Sequence, residues 1–128
     1  MRRSKILVVD DIGAVRQLVV ITLAGLDHAE DPEIVECADA FDAIDRIESG
    51  ERFDLVVTDF RIPRGREGKL VAETAKRRDP GIPVICMSGD MTDQDQAETP
   101  ADVFLVKPFK LKDLLGAAER LLGKVRHE

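Results

Sequence analysis

Five residues stand out because each closes or follows an apolar run that reads as a strand. Asp10 and Asp11 end "ILVVDD", Asp59 ends "DLVVTD", Ser88 ends "VICMS", and Lys107 follows "VFLV". Carboxylates gathered at the ends of buried strands repel one another and resist desolvation unless a cation sits among them. Hard oxygen ligands with few dedicated protein groups suit Mg²⁺, which keeps several waters and accepts phosphate oxygens. A nearby ammonium and hydroxyl suit the remaining oxygens of a phosphoryl group. A carboxylate can itself be the nucleophile. The chemistry this set would support is Mg²⁺-dependent phosphoryl transfer onto an aspartate.

The elements that must position these residues follow from hydrophobic periodicity. Ile6–Val9 is a continuous apolar run, as in a strand buried on both faces. Val15, Leu18, Val19, Thr22 and Leu26 then recur at helical spacing. "EIVECA" is a weaker strand. Phe41, Ile44 and Ile47 mark a second helix that stops at Gly50. "FDLVVTD", "IPVICMSGD" and "VFLVKPF" read as strands 3 to 5. Leu70, Val71, Thr74 and Ala75 give the apolar face of a third helix. Leu111, Leu114, Leu115, Ala118, Leu121 and Leu122 give that of the last. Strands alternating with helices predict an α/β fold. The favoured form is a doubly wound five-stranded parallel sheet in the order 2-1-3-4-5. Strands 1 and 3 are neighbours at the switch point of that order, where ligands bind beyond the carboxyl ends. The order would bring the three aspartates to one spot, with Ser88 and Lys107 on the same rim.

Composition narrows the classes. A chain of 128 residues predicts one domain over 1–128, and 44% hydrophobic content suffices for a core. With five Phe and no Trp or Tyr, that core is aliphatic. A net charge of −6 and a pI near 5.0 argue against direct nucleic-acid binding. No apolar stretch reaches the length of a membrane span, and the basic N-terminus is not a signal peptide. The expectation is a cytoplasmic protein without membrane insertion. Cys37 and Cys86 sit in apolar runs and read as small buried hydrophobes, with a disulfide as the alternative. His28 and His127 read as surface residues, and Met87 and Met91 as core or turn fillers.

Each site residue also has an ordinary reading. Asp10 or Asp11 could cap the helix near Gly13. Asp59 could be a turn residue, and Ser88-Gly89 a Ser-Gly turn. Lys107 could be a solvated lysine before Pro108. All five holding such roles at the ends of the right strands is the less economical account.

In that order, "ILVVDD", "DLVVTDFRIP", "VICMSGD" and "FLVKPF" make the chain resemble the receiver domain of two-component response regulators over nearly its whole length. The resemblance implies that Asp59 is the phosphoacceptor. It implies that Asp10 and Asp11 hold Mg²⁺ together with Asp59 and the backbone carbonyl of Arg61. Ser88 would hydrogen-bond the new phosphoryl group, and Lys107 would pair with a phosphate oxygen. Pro108 would follow a cis Lys-Pro bond. Phe104 takes the aromatic switch position, which turns inward as Ser88 moves. Gly89 leaves room for the donor. The implied phosphodonor is a sensor histidine kinase or a histidine phosphotransfer protein. The implied output is protein–protein contact with a downstream target, biased by the added charge. Such a domain is a signalling module and not an enzyme with a separate substrate.

Two stretches depart from the family pattern. Glu67 stands where a glycine is usual and Gly68 comes one residue later, which implies an insertion within "RGRE". The same loop carries Arg61, Arg64 and Arg66. Arg61 and Asp90 would face each other across the site mouth, and an ion pair there is expected to slow dephosphorylation. Between Ser88 and Lys107 the chain is a few residues short, so helix 4 should be short, irregular or mobile, with Pro100 limiting its end. The usual output and dimer face would then be remodelled, or partners would bind elsewhere, such as along helix 1.

Three other readings compete. One is a receiver-like binding module that works without phosphorylation. The second is a Mg²⁺-dependent phosphatase of the haloacid dehalogenase type, which would need an Asp-x-Asp pattern after strand 1 and a cap domain. A nucleotide-binding role lacks a glycine-rich phosphate loop. The expectation is a stand-alone, single-domain response regulator, with a receiver excised from a larger protein as the alternative.

Overall fold

The computed structural model describes residues 3–26, 31–61 and 67–126, with side chains to residue 123. His28, His127, Arg64, Arg66 and most of the inferred insertion lie outside the described residues. Five strands run β1 Lys5–Val9, β2 Glu33–Cys37, β3 Leu55–Asp59, β4 Val84–Ser88 and β5 Val103–Val106. They pair in parallel in the order β2-β1-β3-β4-β5. The helices α1 Gly13–Ala24, α2 Ala40–Glu48, α3 Glu67–Arg78, α4 Asp93–Glu98 and α5 Leu111–Arg126 alternate with them.

The apolar runs end up where two-sided burial is greatest. Every residue of β3 and β4 is buried, and only Lys5 of β1 is not. The edge strands β2 and β5 are half-buried. Successive side chains point to opposite faces of a strand, so each run feeds two cores. Ile6, Val8, Leu55, Val57, Ile85 and Met87 pack with Val19 and Leu23 of α1 and Leu114, Ala118 and Leu122 of α5. Leu7, Val9, Val56 and Val84 pack with Ala43 and Ile47 of α2 and Val71 and Ala75 of α3. Burying each large aliphatic side chain contributes about 1.5–3 kcal/mol, so these two layers dominate stability.

Helix identity follows the predicted periods, but several predicted faces are corrected. Phe41, Leu70 and Leu18 are 59%, 44% and 47% exposed. Val19, Ile47, Val71, Thr74 and Ala75 are buried as expected, and Leu23, Ala40, Ala43, Gly68 and Ala72 complete the buried stripes. Small residues let α2 and α3 approach the sheet closely, and the larger side chains beside them stay in solvent. Asp39 caps α2 by accepting from the N–H groups of Phe41 and Asp42. The chain turns after α2 at Gly50, whose φ of 95° suits glycine.

Helix α4 is short, as expected, but regular. Thr92 Oγ1 accepts from Asp95 N at 3.0 Å, and Asp95 Oδ2 accepts from Thr92 N at 3.0 Å, a complete capping box. At the other end, Pro100 drives Thr99 into an extended conformation, and the Thr99 hydroxyl donates back to the Asp95 carbonyl. A 3.6 Å Lys69–Glu98 ion pair ties α4 to α3. Two capped ends argue against an irregular segment. Amide exchange at Asp95 and Gln96 should therefore be measurably slowed. Thr92→Ala should cost about 1 kcal/mol of local stability and raise those rates. Exchange in the unaltered protein as fast as in an unstructured peptide would contradict a formed helix.

Candidate functional site

The site lies at the carboxyl end of the sheet, between β1 and β3. Asp10, Asp11 and Asp59 each offer a carboxylate oxygen within 4.8 Å of the others. Asp10 is fully buried and Asp59 is 5% exposed. Lys107, after β5, reaches over β4 and places Nζ 3.4 Å from both Asp10 Oδ2 and Asp59 Oδ1. One ammonium thus serves two of three clustered acids.

The helix-cap reading of the N-terminal acids is not what the structure shows. The residue before α1 is Ile12, and no side chain caps that end. Asp10 Oδ1 instead accepts from Ile12 N at 2.9 Å in a local turn. Arg16, one turn into α1, donates through Nη1 to the Asp10 carbonyl at 2.8 Å and through Nε to Glu36 on β2 at 3.1 Å. The bend carrying the two acids is therefore pinned from α1. Sequence reasoning missed Arg16, because its bond to the acid bend is to a main-chain oxygen, which leaves no mark in the residue pattern.

Asp59 is held just as tightly from below. Thr58 Oγ1 donates to the Asp59 carbonyl at 2.9 Å. Gly68, at the start of α3, donates its N–H to the Phe60 carbonyl at 3.0 Å. A Cβ on Gly68 would lie 2.0 Å from the Asp59 carbonyl oxygen and 2.6 Å from Phe60 Cα. Gly68, and not Glu67, is thus the residue whose lack of a side chain lets α3 pack under the acid.

Burial sets the electrostatics. It pushes the Asp59 carboxyl up to about 6. Lys107 works against that rise, while Asp10 and Asp11 add to it. A divalent cation in the cluster would relieve both the desolvation and the mutual repulsion. The hard oxygens of Asp10, Asp11 and Asp59 fit Mg²⁺ in kind and number. Cys86, buried beneath the site, has its thiol pushed up to about 12, first by burial and then by Asp59. It is a core thiol and not a nucleophile. Cys37 is also free and buried.

Ser88 ends β4 and is 2% exposed. Its hydroxyl donates to Asp90 Oδ1 at 3.1 Å and accepts from Asp90 N at 3.3 Å. Arg61 Nε sits 3.0 Å from both Asp90 carboxylate oxygens, and its guanidinium lies 5.5 Å from the Phe60 ring centroid. The Arg61–Asp90 pair expected across the site mouth is therefore present. Arg61 first, then Ser88, holds the Asp90 carboxyl below the usual range. Gly89 is exposed, and a Cβ there would lie 3.9 Å from Lys107 Cβ, an ordinary contact that leaves room over the site. Phe104 is half-buried, pairs in register with Cys86, and packs in neither core cluster. The Lys107-Pro108 peptide is cis.

Comparison with known proteins agrees with this geometry. The response regulator receiver domain family matches residues 6–119. The chain belongs to that family. The receiver is 32% identical to the transcriptional regulatory protein AruR of Pseudomonas aeruginosa, over 96% of this chain and 51% of that protein. It therefore spans about half the length of that curated relative. A receiver domain protein from Methanospirillum hungatei superposes with a TM-score of 0.85 at 25% identity, covering 98% of each chain. A BeF3-activated DrrB receiver domain superposes at 0.79 with 26% identity, covering 95% of this chain and 99% of that one. These matches place the receiver among the response regulators of two-component systems. No helix among the described residues is long and apolar enough to cross a membrane.

Proposed function

We propose that Asp59 accepts a phosphoryl group from a phosphohistidine on a sensor kinase or phosphotransfer protein. The observation that carries this is the convergence of three carboxylates within 4.8 Å, with Lys107 Nζ 3.4 Å from two of them. An Asp59 carboxylate oxygen attacks phosphorus, the phosphorus–nitrogen bond of the donor breaks, and the imidazole leaves. Bound Mg²⁺ would supply charge neutralisation for the transferring oxygens. Asp10 and Asp11 would hold it with Asp59 and the Arg61 carbonyl. Lys107 pairs with one phosphoryl oxygen and the Ser88 hydroxyl donates to another. Phe104, half-buried on β5 beside β4, would turn inward behind Ser88. Nothing bulky at Gly89 blocks the incoming donor.

The surface beside the site favours a protein donor. Val15, Leu18, Pro108 and Leu111 line an apolar groove of about 370 Å³ next to Lys107. Ile12, before α1, and Ile21, on it, are also exposed, at 52% and 69%. The output is then contact with a downstream protein, changed by roughly −1.5 to −2 of added charge.

The test is intact-mass analysis after incubation with acetyl phosphate and Mg²⁺. One phosphoryl group should add. The addition should be absent in Asp59→Ala and absent when chelator precedes the donor. No addition, combined with no beryllofluoride binding, would leave the chain as a binding module that works without phosphorylation.

The Arg61–Asp90 pair would restrict the water that hydrolyses the aspartyl-phosphate. Arg61→Ala should shorten its lifetime roughly two- to fivefold, the modest scale expected of an exposed pair. An unchanged lifetime would remove this role from the pair.

A further inference from the structure

We propose that Asp90 is a latch that holds the Ser88 hydroxyl away from the phosphoacceptor, with Arg61 as its anchor. The inference rests on Asp59 being the acceptor, but it concerns the protein before phosphorylation.

A serine hydroxyl has a single proton to donate. Here that proton is spent on Asp90 Oδ1, at 3.1 Å. The hydroxyl's acceptor side is engaged as well, by Asp90 N at 3.3 Å. Asp90 is in turn fixed by Arg61, whose Nε lies 3.0 Å from both carboxylate oxygens. Arg61 comes two residues after Asp59 in the chain, so the anchor of the latch is tied covalently to the residue whose state it opposes.

Ser88 lies one residue beyond Met87, the register partner of Asp59 on β4. It is the buried neutral donor placed to serve a phosphoryl oxygen on Asp59. It can do so only by giving up Asp90. The bond to Asp90 is charge-assisted and therefore a real competitor for the proton. Phosphorylation must outbid it, and the free protein is held toward the state in which Ser88 is turned away. A bias of this kind lowers the apparent affinity for any phosphoryl group or mimic by the fraction of molecules that are competent. Asp90 is a positioning residue: it acts on the site only through Ser88.

The latch differs from a water gate in what it predicts without phosphate. Removing a gate alters hydrolysis alone. Removing the latch alters the resting protein. The experiment is NMR of Asp90→Ala with Mg²⁺, read at Phe104 and Leu105 on β5, which pair with Cys86 and Met87 and not with the substituted residue. Signals of the unaltered protein, free and saturated with beryllofluoride, define the two end points. Free Asp90→Ala should lie displaced along the line toward the saturated position. Its beryllofluoride affinity should rise about three- to tenfold, the scale of one charge-assisted hydrogen bond at a partly exposed site. Arg61→Ala should move the same signals in the same direction by less, because Asp90 keeps its bond to Ser88 but loses its anchor.

Resting signals of Asp90→Ala that coincide with those of the unaltered free protein would overturn the latch, even if affinity rose, since loss of a negative charge alone would favour an anion. If beryllofluoride failed to shift the unaltered protein at all, the phosphoacceptor reading would fall, and the latch with it. Asp90 is exposed, so the substitution leaves the core intact. A preserved melting transition checks this.

Discussion

Gly68→Ala should destabilise the receiver by roughly 2–4 kcal/mol, lowering the melting temperature by about 10 °C. The new methyl would lie 2.0 Å from the Asp59 carbonyl oxygen, 2.6 Å from Phe60 Cα and 2.8 Å from the Phe60 carbonyl oxygen. All three obstacles are backbone atoms, so no side chain can swing aside to make room. Either α3 lifts off the sheet or the end of β3 is pushed toward the acid cluster. The first route opens the contacts of Val71 and Ala75 with Val56 and Val84. The second moves Asp59, the proposed acceptor, and a displacement near 1 Å can lower a positioned reaction about a hundredfold. Acetyl phosphate labelling should therefore fall together with stability. Gly116→Ala is the matched control. A Cβ there meets nothing within 4 Å in the middle of α5, and alanine should stabilise the helix by about 0.5–1 kcal/mol. Equal melting temperatures for Gly68→Ala and the unaltered protein would show that the close approach of α3 is not needed.

In chelator at neutral pH, Asp59→Asn should be more stable than the unaltered receiver, by about 1–3 kcal/mol. The Asp59 carboxyl is pushed from 3.8 up to about 6, and that separation corresponds to about 3 kcal/mol at most. Its sign follows from where the proton resides. Between those two values the folded chain keeps a proton that the unfolded chain has released. Asp59 therefore contributes stability that is fully present below about 3.8 and lost as pH rises through about 6. Above that pH the folded protein carries a buried charge that Lys107 partly offsets. Asparagine carries no such charge at any pH. The difference in unfolding free energy between the two proteins should thus shrink as pH falls from 7 toward 4. Glu51 and Asp90, whose carboxyls are held low by Lys5 and Arg61, act in the opposite sense. They are common to both proteins, so the difference isolates Asp59. Mg²⁺ should reverse the ranking by stabilising the unaltered receiver more than the variant. Urea titrations at pH 7 and pH 5, with and without Mg²⁺, measure all of this. A pH-independent difference would mean that burial of Asp59 is relieved by some group other than the metal.

Both predictions concern the same spot, where α3 is packed so closely that glycine is required and the acid above it is nearly dry. The mutual repulsion of Asp10, Asp11 and Asp59 in so buried a place is the reason a cation, and then the proposed phosphoryl group, would be stabilised there. The cost of keeping Asp59 buried is offset by the two aliphatic cores.

Much of this was legible in the sequence. Continuous apolar runs such as Ile6–Val9 mark strands buried on both faces, because only a covered parallel sheet hides every side chain of a run. Their abrupt polar ends placed Asp10, Asp11, Asp59, Ser88 and Lys107 on one rim once the order 2-1-3-4-5 was assumed, and that order is the one observed. The expected shortness of α4 followed from the shortened segment before Pro100. These features are local, or depend on strand order alone.

Other features belong to the assembled molecule. Phe41, Leu18 and Leu70 are as apolar as their buried neighbours, and only the closeness of helix to sheet decided that Ala43 and Ala72 face inward in their place. Arg16 binds a main-chain carbonyl, and Gly68 is defined by the backbone that crowds it. Neither relation is written in residue types. The raised carboxyl of Asp59 comes from burial, which no isolated strand possesses. The Ser88–Asp90–Arg61 chain depends on side-chain reach between the segments that follow β3 and β4, which pair in the sheet. Sequence by itself determined which groups stand at the strand ends, since hydrophobic pattern is a property of the chain. Tertiary structure alone decided how closely those groups approach and how dry they are, since distance and desolvation exist only once the layers have packed.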